Sequence, residues 1–277
     1  VAMGASPGHI RGGTWSTRET PMLYEFSLTP YDPEILKYVL IEMAQEAGVR
    51  FLFHAYLTRA GVKERKVEYV EVWTNSGPFR IKGGVFVDAS GDAQLSNLAG
   101  ASWELGSKEG LLQNVSLHFR MTNVDAERLV EALKREDRVH GRDSWYIRLV
   151  RGRGPRGEPD HYIHIAGHAI PWDDPRSGPP LTFTAVAQRR GEYWINMTRT
   201  VGIDPTNVDD LTRAEISERK NVFEISRLLV KNVPGFEKAY LSGTSPSVGI
   251  RESRRILGDY TITQDDVLSC RRFEDGV

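Results

Sequence analysis

Val85-Phe86-Val87-Asp88-Ala89-Ser90-Gly91-Asp92 decides how this chain is read. A short apolar run stops abruptly at acids and small residues, then passes into Leu95, Leu98, Ala99 and Gly100. Buried parallel strands have that pattern, and ligand crevices open where such strands end. The small residues permit close backbone approach, and the acids accept hydrogen bonds. A second distinctive stretch runs from Val248-Gly249-Ile250-Arg251-Glu252-Ser253 through Arg254-Arg255-Ile256-Leu257-Gly258-Asp259-Tyr260.

Outward from Val85, the preceding residues support a mixed α/β reading. Asp32-Pro33 opens a helix, since Asp is a favoured N-cap and Pro a favoured first residue. Ile35, Leu36, Val39, Leu40, Met43 and Ala47 recur at helical spacing, and Gly48 closes the helix. Val49 to Phe53 is expected to follow as a second parallel strand. Between the two strands, Tyr56 to Lys82 alternates with the two-residue period of an antiparallel meander, turning at Asn75-Ser76-Gly77-Pro78. From Leu105 onward the pattern predicts antiparallel strands: Val115 to Met121, Trp145 to Val150, His161 to Ala169, Leu181 to Gln188 and Tyr193 to Thr200. Arg189-Arg190-Gly191-Glu192 links the last two as a hairpin. Helices are predicted over Ala126 to Arg135, from Thr212 to about Val233, and over Gln264 to Leu268 beside Asp265-Asp266. Pro234-Gly235 ends the second of these.

The 277 residues suffice for one large or two ordinary domains. Lys and Arg total 36 against 37 Asp and Glu, a net charge of −1. That balance gives no basic field, so nucleic acid and an anionic membrane are not expected partners. A homo-oligomer is compatible with this balance. The single Cys270 cannot close an internal disulfide, and no apolar run spans a bilayer, so a cytoplasmic location is expected.

Several motifs invite chemistry and fail on geometry. Gly152-Arg153-Gly154-Pro155-Arg156-Gly157 spells G-x-G-x-x-G, but the prolines and the absence of a following helical period leave no amide cradle for a pyrophosphate. Gly12-Gly13 reads as plain loop. His161, His164 and His168 do not make a zinc site: the first two point to opposite faces of a strand, and the last two lie roughly 13 Å apart. No metal site is expected. The Arg251 to Arg255 cluster stays open. As a strand it puts Arg251 and Arg255 on one face and Glu252 and Arg254 on the other. One face then clamps an anion, or the segment is a salt-bridged edge.

The ordered motifs together resemble FAD-dependent oxidoreductases with the glutathione-reductase type of FAD fold. That group shows Asp-Pro-Glu, a helix, an Ala-Gly-Val strand, a meander, Val-x-Asp-Ala-Thr-Gly-Asp-Gly-Asp, Ala-Gly-Ala, a Phe-Arg strand, and Gly-x-Arg-Glu-Thr-Arg-Arg-Ile-x-Gly-x-Tyr. This chain has Asp32-Pro33-Glu34, Ala47-Gly48-Val49, Asp88-Ala89-Ser90-Gly91-Asp92, Ala99-Gly100-Ala101, Phe119-Arg120, and Gly249 through Tyr260. The match covers about Tyr31 to the C-terminus. Ser90 replaces Thr, and Ala93-Gln94 replaces Gly-Asp. The opening G-x-G-x-x-G and the closing segment of the family are absent.

The resemblance therefore implies a middle fragment of such a protein. Residues 1–104 form a partial FAD domain with an inserted meander, 105–245 an antiparallel substrate domain, and 246–277 a return segment. It implies flavin-mediated hydride transfer on a small substrate, with FAD bound weakly or not at all by this chain alone. Asp88, Ala89, Ser90, Gly91 and Asp92 are expected to line the cofactor crevice, and the backbone of Tyr56 and Leu57 to meet the adenine. Arg251 and Arg254 are expected to orient an anionic group. No catalytic acid or base is assigned. Two other readings stand beside this one. The chain is a non-catalytic module that needs a partner, or it is a carbohydrate-binding β-domain using Trp145, Trp172 and Trp194.

Overall fold

The structure, a computed structural model, describes residues 10–11, 15–17, 20–22, 27–28, 33–108, 110–135, 146–153, 159–168, 182–189 and 191–274. Gly12-Gly13, Asp32, Trp145, Trp172 and Gly154 to Gly157 lie outside these residues.

Four short strands come first. β1 (Ile10–Arg11) pairs with β4 (Ser27–Leu28), and β2 (Trp15–Thr17) with β3 (Thr20–Met22). Helix α1 (Pro33–Glu46) follows. Gly48 takes φ 72° to end it, and the Gly48 and Val49 amides return to Gln45 and Ala44 carbonyls. Then come β5 (Tyr56–Lys63), β6 (Lys66–Thr74), β7 (Gly77–Lys82), α2 (Gln94–Leu98) and β8 (Trp103–Glu104). After β9 (Phe119–Thr122) and α3 (Ala126–Arg135) lie β10 (Tyr146–Arg153), β11 (Pro159–His168), β12 (Thr182–Arg189) and β13 (Glu192–Asn196). Helix α4 (Val208–Asn232), β14 (Tyr240–Thr244), β15 (Arg255–Ile256) and α5 (Gln264–Leu268) complete the chain.

The chain divides into two compact units. The first holds residues 1–50, 114–203 and 209–250; the second holds 51–113, 204–208 and 251–277. In the first unit a six-stranded antiparallel sheet runs in the order β10-β11-β12-β13-β9-β14. Two-residue alternation sends Phe119, Met121, Tyr193 and Ile195 into the core and leaves Arg120, Thr122 and Trp194 half-buried. Helix α4 answers with Ala214, Glu218, Val222, Ile225 and Leu229, spaced four, four, three and four residues apart. Val222, Ile225 and Leu229 pack with the sheet residues and Phe236 in one cluster. Burying each large side chain there contributes about 1.5–3 kcal/mol. Glu218 is fully buried in this unit, and its carboxylate accepts from the Leu117 amide (3.0 Å) and the Thr200 hydroxyl. A buried charge needs such partners.

The second unit holds the antiparallel sheet β5-β6-β7. The expected meander over Tyr56 to Lys82 is present, and its second turn lies where Asn75 and Ser76 separate β6 from β7. The helices predicted over Ala126 to Arg135 and Gln264 to Leu268 form as expected, while α4 begins at Val208, ahead of Thr212.

The two expected parallel strands do not form. Every strand pair among the described residues is antiparallel. Val49 to Phe53 and Val85 to Ala89 belong to no strand. Their side chains are far from buried: Val85 is 85% exposed, Val87 83% and Phe53 62%. Their composition suits a buried strand, but no neighbouring strand among the described residues offers either a ladder. The predicted strands over Val115 to Met121 and Tyr193 to Thr200 also shorten. Val115 and Ser116 make only isolated bridges, to Thr200 and Gly249.

Candidate functional site

The Asp88 to Asp92 segment is a self-bonded loop opening into α2. Asp88 Oδ1 accepts from the Ser90 amide (3.1 Å) and hydroxyl (2.7 Å). Its Oδ2 accepts from the Ser96 amide (2.8 Å) and hydroxyl (2.7 Å). Burial pushes this carboxyl up, but the hydrogen bonds from Ser90 and Ser96 outweigh it and bring the pKa down to about 2. Ser90 Oγ in turn accepts from the Gln94 amide (2.9 Å). Both oxygens of Asp88 are thus committed to its own loop. Ala89, Ser90 and Gly91 are exposed. Gly91 has φ 79°, and a Cβ placed there would meet nothing within 4 Å. The backbone at Gly91 therefore faces open space, and glycine is the residue that tolerates its φ.

The far end of the loop meets the second distinctive stretch. The Ser253 hydroxyl, buried, donates to Asp92 Oδ1 at 2.7 Å. Arg254 Nη1 donates to the Asp92 carbonyl at 3.2 Å, and its guanidinium lies 5.4 Å from the Trp103 ring centroid. Arg254 Nε is buried with no hydrogen-bond partner. Next to this contact, β15 pairs with β8, matching Arg255 to Glu104 and Ile256 to Trp103. Arg255 donates to Glu104 (3.2 Å), to the Gly106 carbonyl and to Glu252. Glu252 also accepts from the Gln113 amide at 3.0 Å.

The strand reading that the sequence leaves open for residues 251 to 255 is met only at its end, where Arg255 is both strand and salt-bridged. Only Arg255 and Ile256 are strand. The irregular backbone before them lets Glu252 turn back on Arg255, a residue placed on the opposite face by the strand reading. Arg251 is exposed. Tyr56 and Leu57 sit at the start of β5, opposite Trp73 and Val72, and Tyr56 is exposed. The sequence reading does not single out Ser96, Trp103, Glu104 or Ser253. Ser253 sits inside a noticed motif, but its partner is 161 residues away.

The other candidates contribute less. A shallow groove of about 470 Å³ is lined by Arg59, Gly61, Glu68, Tyr69 and Gly100, and it is wide open. Arg120 lies 5.7 Å from the Trp194 ring centroid, on the aromatic that a sugar reading requires, and is ion-paired to Glu192 at 2.9 Å. His161, His164 and His168 all fall on β11. No group of metal-binding side chains occurs among the described residues, and none of the described helices is long and apolar enough to cross a membrane.

Comparison with known proteins gives one match: the model of the FAD dependent oxidoreductase family matches residues 4–277. No curated protein and no solved structure matches the chain.

Proposed function

The chain belongs to the FAD-dependent oxidoreductase family, and from that membership we propose that it supplies the Asp88 to Asp92 loop as part of a flavin site acting on a small substrate. The single observation that carries this is the meeting of the two motif stretches through Asp92, Ser253 and Arg254. Exposed Gly91, with open space over its backbone, fits the close approach of a cofactor. FAD, when bound, supplies the hydride chemistry. The residues of this chain bind and orient. Asp88 fixes the loop's shape, Asp92 anchors its far end, and Arg254 adds positive charge beside it. Arg251 is assigned to an anionic group of substrate or cofactor, and the Tyr56-Leu57 backbone to the adenine.

The fragment reading belongs to the same proposal. Val85, Val87 and Phe53 expose large apolar surfaces on strand-like sequence. Such surface is expected where a neighbouring strand is to be added. In this reading a glutathione-reductase-like sheet is completed by further chain, and the present residues alone hold FAD weakly. The same exposure favours a second reading, a module completed by a separate partner protein. Titration with FAD followed by flavin fluorescence tests the site. Gly91→Val is expected to weaken FAD binding by at least about tenfold, because it strains φ and blocks the approach. Binding unchanged in Gly91→Val removes this loop from the site.

A further inference from the structure

We propose that Ser253 and Arg254 are positioning residues that set the conformation of the Asp88 to Asp92 loop and, through it, its affinity for FAD; the second half rests on the cofactor reading above.

The loop has two ends held by different means. Its first end is local, since Asp88 takes all four of its bonds from Ser90 and Ser96. At its second end, the side-chain bonds to Asp92 come from Ser253 and Arg254, far along the chain. Ser253 is 6% exposed, so its hydroxyl has little access to water as a substitute partner for the carboxylate. A charge-assisted bond of 2.7 Å in such a place is a strong one.

The next residue shows why the second end needs holding. Ala93 has φ 51° and ψ 39°, and as the N-cap of α2 it makes no side-chain capping bond. A non-glycine residue in the left-handed region is strained by its own Cβ. It persists only where its surroundings over-determine it, and the immediately preceding Asp92 is fixed at both carboxylate and carbonyl. Arg254 is itself fixed, with its guanidinium over Trp103. Its buried, unpartnered Nε is a real cost, so this placement does not serve the arginine's own hydrogen bonding. The side chain is held where its Nη1 reaches Asp92.

Each of two hydroxyls binds one acid of the loop, Ser90 to Asp88 and Ser253 to Asp92.

The test uses Ser253→Ala, Ser253→Thr and Arg254→Lys in the full chain and in a longer form extended at both ends, the longer form serving for FAD affinity. Amide hydrogen exchange is followed over residues 88–95 without flavin, and FAD affinity is measured by fluorescence titration. Ser253→Ala is expected to speed exchange in the loop about tenfold and to raise the FAD dissociation constant by a similar factor. Ser253→Thr restores both, which a purely steric role for the side chain does not predict. Arg254→Lys keeps the charge, loses the planar fork and gives an intermediate loss. Unchanged exchange in both Ser253→Ala and Arg254→Lys overturns the proposal. Faster exchange with unchanged FAD affinity overturns its second half, while FAD binding by the wild type upholds the functional reading. A wild type that takes up no FAD in any form overturns the functional reading and the second half together.

Discussion

At the scale of single residues, the two loop acids are committed to other groups of the chain before any ligand, Asp88 to Ser90 and Ser96 and Asp92 to Ser253 and Arg254. Asp88 has its pKa drawn down to about 2, below the roughly 3.9 of an unfolded aspartate. Its ionised form therefore stabilises the folded loop above about pH 4, and that contribution is lost as pH falls through about 2. Hydrogen exchange of the loop amides is expected to quicken over that window in the wild type, beyond the change in intrinsic rate, and to lose the extra dependence in Asp88→Asn. Asp88→Ala removes acceptors from four donors and should cost about 2 kcal/mol of local stability. Gly61 makes a different residue-level demand. It pairs with Tyr69 across β5 and β6, and a Cβ there would come 2.1 Å from the Tyr69 ring. Arg80 in turn lies 4.1 Å from that ring's centroid. Gly61→Ala should expel Tyr69 from its place, lowering stability by about 1–3 kcal/mol in a denaturant titration. The sequence marks Asp88 and Asp92 as site residues by type and position. It says nothing of Gly61, because the aromatic that claims its space is set by strand register.

At the scale of elements, legibility follows locality. Helix α5 shows it. The sequence places it by Asp265-Asp266, but the cap is Thr263, to whose amide Asp266 returns at 2.8 Å, all within four consecutive residues. The Tyr260 and Thr263 hydrogen bonds hold the Asp266 carboxyl well below the usual carboxylate range. The meander was legible for the same reason, since alternation and turn residues are local. Val49 to Phe53 and Val85 to Ala89 were not. Composition suits them for strands, but a strand exists only with a neighbour, and that neighbour is not written in its own residues. The β5–β6 turn shows the converse. Lys63 faces Lys66, so Glu64-Arg65 is a two-residue loop, and both take positive φ (49° and 64°). Asn-Gly suits that turn far better. Glu64→Asn with Arg65→Gly is expected to stabilise the meander by about 1 kcal/mol, seen as a higher denaturation midpoint. In α4, Leu229 is fully buried among Val222, Ile225 and the sheet residues. Leu229→Ala should cost about 2–5 kcal/mol.

At the scale of the whole molecule, the chain is two compact units whose sequence segments interleave. The first unit has a continuous core between its sheet and α4. The second has a thinner one, with Val70 and Val72 its buried apolar residues among those described, and it displays Phe51 to Phe53 and Val85 to Ala89, which the sequence assigns to strands. That contrast is what the proposal of a flavin site completed by further chain sets out to explain. The most direct measurement is the visible absorption spectrum after incubation with FAD and desalting, taken on this chain and on a longer form extended at both ends. The account predicts a retained flavin band in the longer form and little or none in the chain alone. Retention by neither form would contradict it, and would leave the Asp92–Ser253 contact as a structural clasp within a protein that does not use FAD.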